Sequence, residues 1–418
     1  MTDTATRPVI TGIGVAAPTG LGARAHWSAT VEGTSGIGEI TRFDASGYPV
    51  RLAGQVPGFE AAEHIPSRLL PQTDHMTRLA LYAADEALKD SGLDLAALSP
   101  YEAGVASASS MGGFEFGQRE LQNLWSRGGR FVSAYQSFAW FYAVNTGQIS
   151  IRHGLKGPSS AVVTDQAGGL DAIGHARRQI RKGTKVMLAG GVDGALCPLG
   201  LAGQLASGRL STADRPDRAY LPFDEAASGH VPGEGGAYVV LEHPADAERR
   251  GAHVYGELAG YAATFDPDPG APDADGLQRA IRAALADAAL EPADIAVVFA
   301  DAAGAPAADR AEAAALAAVF GARGVPVAAP KAQTGRLFAG GATLDLVSAL
   351  LALRDGSVPP TAHVTAVAAD CPVDLVTGGP RRITGGGALV LARGEGGFNA
   401  AAVVTVVAPA TSTAGPTT

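Results

Sequence analysis

Val162-Val163-Thr164-Asp165-Gln166-Ala167-Gly168-Gly169-Leu170-Asp171 joins two kinds of local pattern. The apolar residues over 161–164 read as a buried strand, and the glycines at 168 and 169 open a helix that runs to about Lys182. Arg177, Arg178, Arg181 and Lys182 crowd the end of that helix, where the macrodipole is negative, and Gly183 stops it. A strand, a sharp turn and a helix start put residue 166 at a helix N-terminus. Free backbone N–H groups and positive partial charge there favour a thiolate nucleophile and an oxyanion. The occupant is Gln166, and its amide is no nucleophile.

Outward from this turn the same kinds of element recur. Val9–Thr11 reads as a strand running into Gly12, Gly14 and Gly20. Residues 76–91 carry Leu79, Tyr82, Ala83 and Ala87 at helical spacing, with Gly92 as the stop. An apolar stretch over 103–108 and a buried strand over 186–189 complete the first set. In the second set, residues 275–290 form a helix with Leu277, Ile281 and Leu285 in register. Strands follow at 295–300 and 325–328, then a helix at 341–354 and a strand at 388–391 that enters Gly394-Glu395-Gly396-Gly397. Corresponding landmarks, Leu93 with Leu290 and Val186 with Ala388, share an offset of about 200 residues. That offset predicts an internally duplicated α/β chain, with halves at 1–250 and 251–408; two unrelated α/β domains are the alternative. Residues 264–275 read as a rigid surface loop and 409–418 as a disordered tail.

Composition narrows the function. The 418 residues are 46 % hydrophobic and 17 % charged, with a formal net charge of −9. An acidic chain without long charge blocks predicts neither a nucleic-acid nor a membrane partner. No apolar run approaches the roughly 18–20 residues of a membrane span, and the N-terminus lacks a signal-peptide layout. Cys197 and Cys371 stand far apart, so no disulfide and no metal site are expected, and a reducing cytoplasm suits them. Gly12-Ile13-Gly14-Val15-Ala16-Ala17 matches a dinucleotide-binding pattern, but Pro18 blocks the helix start and no acidic residue follows about 20 positions on. A glycine-rich structural turn is the expectation there.

From Ile10-Thr11-Gly12 to Gly397-Phe398-Asn399 the chain resembles the β-ketoacyl synthases of the thiolase superfamily. The run Val162–Asp171 is most similar to their chain-length-factor branch, the ketosynthase β subunit of bacterial aromatic (type II) polyketide synthases. The resemblance implies a five-layer α-β-α-β-α fold and gives roles to single positions. Gln166 stands where the family has its cysteine. Ala303, in Asp301-Ala302-Ala303-Gly304, stands for the first histidine, and Arg336, in Lys331-Ala332-Gln333-Thr334-Gly335-Arg336, for the second. Lys331 is retained, and Asp345 in place of a glutamate is expected to pair with it. The C-terminal loop has Glu395 where the family has a gatekeeping phenylalanine. Nucleophile and both imidazoles are absent together, so thioester transfer is not expected. The Gln166 carboxamide is expected to accept from the helix-start N–H groups.

The resemblance further implies a heterodimer with a catalytically complete ketosynthase α, in which the strand Ala161, Val162, Val163, Thr164 pairs across the interface. A poly-β-ketone intermediate would enter a tunnel lined by Phe114, Gly117 and Leu121, which recur at i, i+3 and i+7 on one helix face. Gly117 and Leu121 leave room, which predicts a decaketide or longer product. No cofactor is expected on this chain, since phosphopantetheine belongs to the acyl carrier protein. Two other functions remain open: decarboxylation of malonyl-carrier protein through Gln166, and a scaffold that only stabilises ketosynthase α. Phe138–Tyr142 is expected in the core or at the dimer interface, the 177–182 cations at a solvated helix end, and Glu234 in a structural turn.

Overall fold

The structure, a computed structural model, describes residues 6–268 and 275–407. The tail expected at 409–418 and part of the loop expected at 264–275 lie outside the described residues.

The first half begins with β1 (Val9–Ala17), buried along its whole length. It continues through α1 (His75–Asp90), β2 (Ala103–Ala108), α2 (Phe114–Arg127), β3 (Ser159–Val162), α3 (Gly168–Arg181), β4 (Val186–Asp193) and β5 (Gly235–Glu242). The second half repeats the series. Its elements are β6 (Gly256–Phe265), α4 (Gly276–Ala288), β7 (Ile295–Phe299), α5 (Pro306–Phe320), β8 (Pro326–Ala328), α6 (Ala339–Asp355), the short β9 (Asp374–Leu375), β10 (Gly387–Arg393) and β11 (Phe398–Thr405).

Strand order makes the duplication visible: β3-β2-β4-β5-β1 continues in mirror order as β6-β11-β10-β7-β8, with β9 beyond. In the first half β2 pairs in parallel with β3 and β4, while β4–β5 and β5–β1 are antiparallel. In the second, β7 pairs in parallel with β8 and β10, while β10–β11 and β11–β6 are antiparallel. The two sheets meet only where Val9 and Ile10 oppose Glu257 and Gly256.

Three apolar clusters separate the layers. The central one holds Leu170 and Ile173 of α3 with Leu346 and Leu350 of α6, between the inner faces of both sheets. α1 covers the outer face of the first sheet, and α4 and α5 that of the second. A helix buried all round, as α6 is from Ala339 to Ala352, belongs in such a middle layer. The outcome is the expected α-β-α-β-α stack.

Two expectations need correction. Gly12 and Gly14 lie within β1 and not in a turn. A Cβ on Gly12 would stand 2.2 Å from the Ala87 carbonyl oxygen, and one on Gly14 1.9 Å from that of Ala83. The glycines let the backbone of α1 lie directly on the strand. The strand expected at 161–164 is Ser159–Val162, for Thr164 leaves the extended region and Asp165 turns to φ +50°. It is an edge strand, half open to solvent and not buried: Ala161 and Val162 pair with Ser107 and Ala108 on one side only.

Among the described residues no helix is long and apolar enough to cross a membrane. Among the same described residues no group of three or more His, Cys, Asp or Glu is placed to hold a metal ion.

Gly14→Ala is expected to lower stability by about 1–3 kcal/mol or more, because the methyl meets backbone that cannot yield. Gly147→Ala, where a Cβ meets nothing within 4 Å, should leave stability equal or raise it by up to about 1 kcal/mol. Urea unfolding of the two variants checks the contrast.

Candidate functional site: a disarmed reaction centre

β3 delivers the chain to the turn Asp165–Ala167, which hands it to α3. Gln166 in that turn is fully buried. Its amide lies against α6, where a Cβ on Gly341 would be 2.4 Å from Gln166 Nε2. Neither Oε1 nor Nε2 has a hydrogen-bond partner, so the amide does not accept from the helix-start N–H groups as expected. The close fit against α6 holds the side chain instead.

Ala303 is half-buried in the loop Asp301–Gly304, between Ala302 at φ +50° and Gly304 at φ +69°. Its methyl can neither donate a proton nor polarise a carbonyl. Arg336 is buried and turned toward the same loop: Nη2 lies 3.2 Å from Asp301 Oδ2 and donates to the Arg393 carbonyl at 2.9 Å. Burial works against its charge, but Asp301, Tyr220 and Asp165 outweigh it and hold the guanidinium above its ordinary range. Asp301 in turn accepts from the Arg393 N–H at 3.0 Å. Arg336 is thus a brace between two loops.

Lys331 forms the expected pair with Asp345 on α6 and also donates to the Ala300 carbonyl at 2.9 Å. Burial pushes the Asp345 carboxyl up to about 6 against the pull of Lys331. The Gly394–Gly397 loop closes the site: the Glu395 N–H donates to Asp165 Oδ2 at 2.8 Å. Tertiary folding therefore gathers residues 165–166, 300–303, 331–336 and 393–395 around one centre, with no thiolate and no imidazole at the three expected positions.

Sequence reasoning missed the carboxylate that joins this centre to its surroundings. Asp193, at the end of β4, is fully buried and accepts from Ser109 Oγ at 2.8 Å, Ser110 N at 2.8 Å, Met111 N at 3.2 Å and Ala339 N at 3.2 Å. Burial pushes its carboxyl up to about 6. The signal was an aspartate ending a wholly apolar strand.

On α2, Phe114 and Leu121 are half-buried and Gly117 is buried beside Trp140. A Cβ on Gly117 would meet only Trp140 Cβ, at 3.6 Å. Of the 138–142 aromatics only Phe138 packs on the core; Trp140, Phe141 and Tyr142 are exposed, as are Trp125, Tyr135 and Val163. The helix end at 177–182 is not simply solvated either, since Arg177 is buried, pairs with Asp287 and donates to the Ala259 carbonyl at 2.9 Å. A concavity of about 460 Å³ opens elsewhere, among Phe223, Asp309, Arg310 and Cys371, with no α2 residue in its lining.

A duplicated five-layer fold thus brings one turn, a buried lysine–aspartate pair and two loops to a common centre. The Beta-ketoacyl synthase, N-terminal domain family matches residues 6–247, and the Beta-ketoacyl synthase, C-terminal domain family residues 255–365. The actinorhodin polyketide beta-ketoacyl synthase 2 of Streptomyces coelicolor is 60 % identical over 96 % of this chain and 99 % of its own length. The tetracenomycin polyketide synthase ketoacyl synthase beta subunit of Streptomyces glaucescens is 58 % identical, covering 95 % and 97 %. Among solved structures, the ishigamide ketosynthase/chain length factor superposes with a TM-score of 0.90 at 28 % identity, covering 97 % of this chain and 100 % of that one. The chain belongs to the beta-ketoacyl synthase family, in its ketosynthase beta, or chain length factor, branch of type II polyketide synthases.

Lys331→Met is expected to destabilise the chain by about 3–5 kcal/mol, because it leaves the Asp345 carboxyl buried without its partner. Lys331→Met with Asp345→Leu should recover most of that loss. Urea unfolding of single and double variants reads the difference; equal loss in both would remove the structural role given to the pair.

Proposed function

We propose that this chain is the non-catalytic partner of a ketosynthase α and sets poly-β-ketone length by the space it leaves beside α2. Gly117 carries the reading. Glycine inside a helix costs about 1 kcal/mol relative to alanine, so a folding reason for it is a collision that a Cβ would cause. Gly112 and Gly113 have that reason, with Cβ positions 2.5 Å from the Trp140 carbonyl and 2.1 Å from that of Ala139. Gly117 does not, since a methyl would sit at ordinary van der Waals distance, and unlike Gly147, which is exposed, it is buried. The space left open at Gly117, between Phe114 and Leu121, serves something outside the fold.

The rest of the reading follows from surface chemistry. The open edge at Ala161 and Val162, with Val163 and Thr164 beyond it, and the exposed aromatics form the face that ketosynthase α covers. The partner supplies the cysteine and histidines missing at Gln166, Ala303 and Arg336, and its wall closes the tunnel. Chain elongation uses acetate-derived units on the phosphopantetheine of an acyl carrier protein, in the cytoplasm; this chain itself binds neither cofactor nor metal. The small residues at the gate favour a decaketide or longer.

Overfilling a closed pocket costs about 1–3 kcal/mol, roughly 5- to 150-fold in the competition between one more extension and release. Leu121→Phe with Gly117→Thr, assayed in the reconstituted minimal synthase, should shift the main product to a shorter carbon chain. An unchanged product would remove the gate. Exchange of this subunit for one from another system should change the carbon count, which a mere scaffold would not do.

Malonyl-carrier protein incubated with this chain alone should stay intact, for a decarboxylase needs donors to its enolate and one lost donor typically costs about 10²–10³ in rate. Formation of acetyl-carrier protein, abolished by Gln166→Ala, would make the chain an enzyme in its own right.

A further inference from the structure

The ion pairs at the first turn of α2 are not accounted for by the disarmed centre or by the proposed gate. Arg42, in the loop after the short strand Ile37–Glu39, reaches two carboxylates at once. Nη1 donates to Glu234 Oε2 at 2.7 Å, and Nη2 pairs with Glu115, the second residue of α2. Glu234 is the anchor. It is buried, Oε1 accepts the Val56 N–H at 3.2 Å, and His75 Nε2 lies 3.3 Å away. Burial would raise this carboxyl, but His75 and Arg42 outweigh it and hold it below its ordinary range. Glu115 is half-exposed and has no role in the core.

A second tie reaches the same turn. Asp74 caps α1 by accepting the Met76 N–H at 2.8 Å, and its other oxygen accepts the Phe116 N–H of α2 at 2.7 Å. Adjacent residues 74 and 75 therefore hold α2 through its backbone and, by way of Glu234 and Arg42, through a side chain. Beyond the first turn α2 is tied to other segments. Gln118 accepts from Leu199 N at 2.6 Å and Glu120 from Ser133 N at 2.7 Å, while Leu124 and Trp125 face solvent. At about 1.5 Å per residue, Leu121 lies about 10 Å along the axis from Phe114, so a small tilt at the first turn moves the gate.

We propose that Arg42, by bridging Glu234 to Glu115, is a positioning residue that fixes the tilt of α2 and thereby the length of product that the Gly117–Leu121 gate allows. The inference rests on the gate reading given above. A guanidinium fork suits the task, since two fixed donors hold two carboxylates in one geometry and an ammonium does not.

The test is product analysis by mass in the reconstituted synthase. Arg42→Ala and Glu115→Ala should each broaden the product set, lowering the ratio of the main product to its neighbours about fivefold, equivalent to about 1 kcal/mol. Arg42→Lys should recover part of the ratio. Glu115→Ala removes only the α2 end of the bridge and leaves Arg42–Glu234 intact, so it carries the test if Arg42→Ala fails to fold. A merely structural bridge would lower heterodimer yield with product ratios unchanged, and that result overturns the proposal. Leu121→Phe with Gly117→Thr, run alongside, separates the two claims. If it shortens the product while Glu115→Ala leaves the ratio unmoved, only the bridge is lost; if neither moves the product, the gate is lost too.

Discussion

One buried carboxylate holds the two halves of this molecule in working relation. Asp193 ends β4 in the first half, and its oxygens are shared between the residues that lead into α2 and the first N–H of α6 in the second half. An ionised carboxylate only accepts, so donors must be brought to it, and here three come from one loop and one from the opposite half. Among the described residues it forms no ion pair, and burial raises its carboxyl. The cost of that desolvation is offset by geometry: the turn beside α2 and the start of the central helix are referred to one point.

The disarmed centre is still a charged centre. Lys331 with Asp345 and Arg336 with Asp301 are buried ion pairs, and each also binds a backbone carbonyl. Such pairs are weak contributors to net stability but strong determinants of local geometry, because a lone partner cannot remain charged in the interior. Arg336 shows how a reactive position becomes structural. A guanidinium of always-positive charge cannot act as a general base, yet it links loops that a smaller side chain would leave apart. Gln166 contributes no such link and fills space against α6.

Much of the fold was legible in order along the chain. Helices such as α1 and α4 announce themselves by spacing and by the residues that stop them, and their offset of about 200 residues exposes the duplication. Gln166, Ala303 and Arg336 could be singled out for a related reason: each sits in a short local run. What failed to be legible involved neighbours remote in sequence. Gly12 and Gly14 looked like a turn because nothing local says that α1 will lie on them. The strand looked buried because Ala161, Val162 and Val163 are apolar, whereas the sheet ends there and leaves an edge. Asp74, Asp193 and Arg42 gain meaning only from partners 42, 84 and 192 residues away.

The sequence by itself determined the chemistry this protein lacks, because reactivity travels with the side chain: a glutamine, an alanine and an arginine cannot supply a thiolate or an imidazole wherever they are put. It also determined the repeated layering, since periodicity and stops are written within each segment. Only the tertiary structure decided what packs beside α2, which strand edge stays open and what holds α2 in place. Those are distances between segments far apart in the chain, and no local pattern encodes a distance.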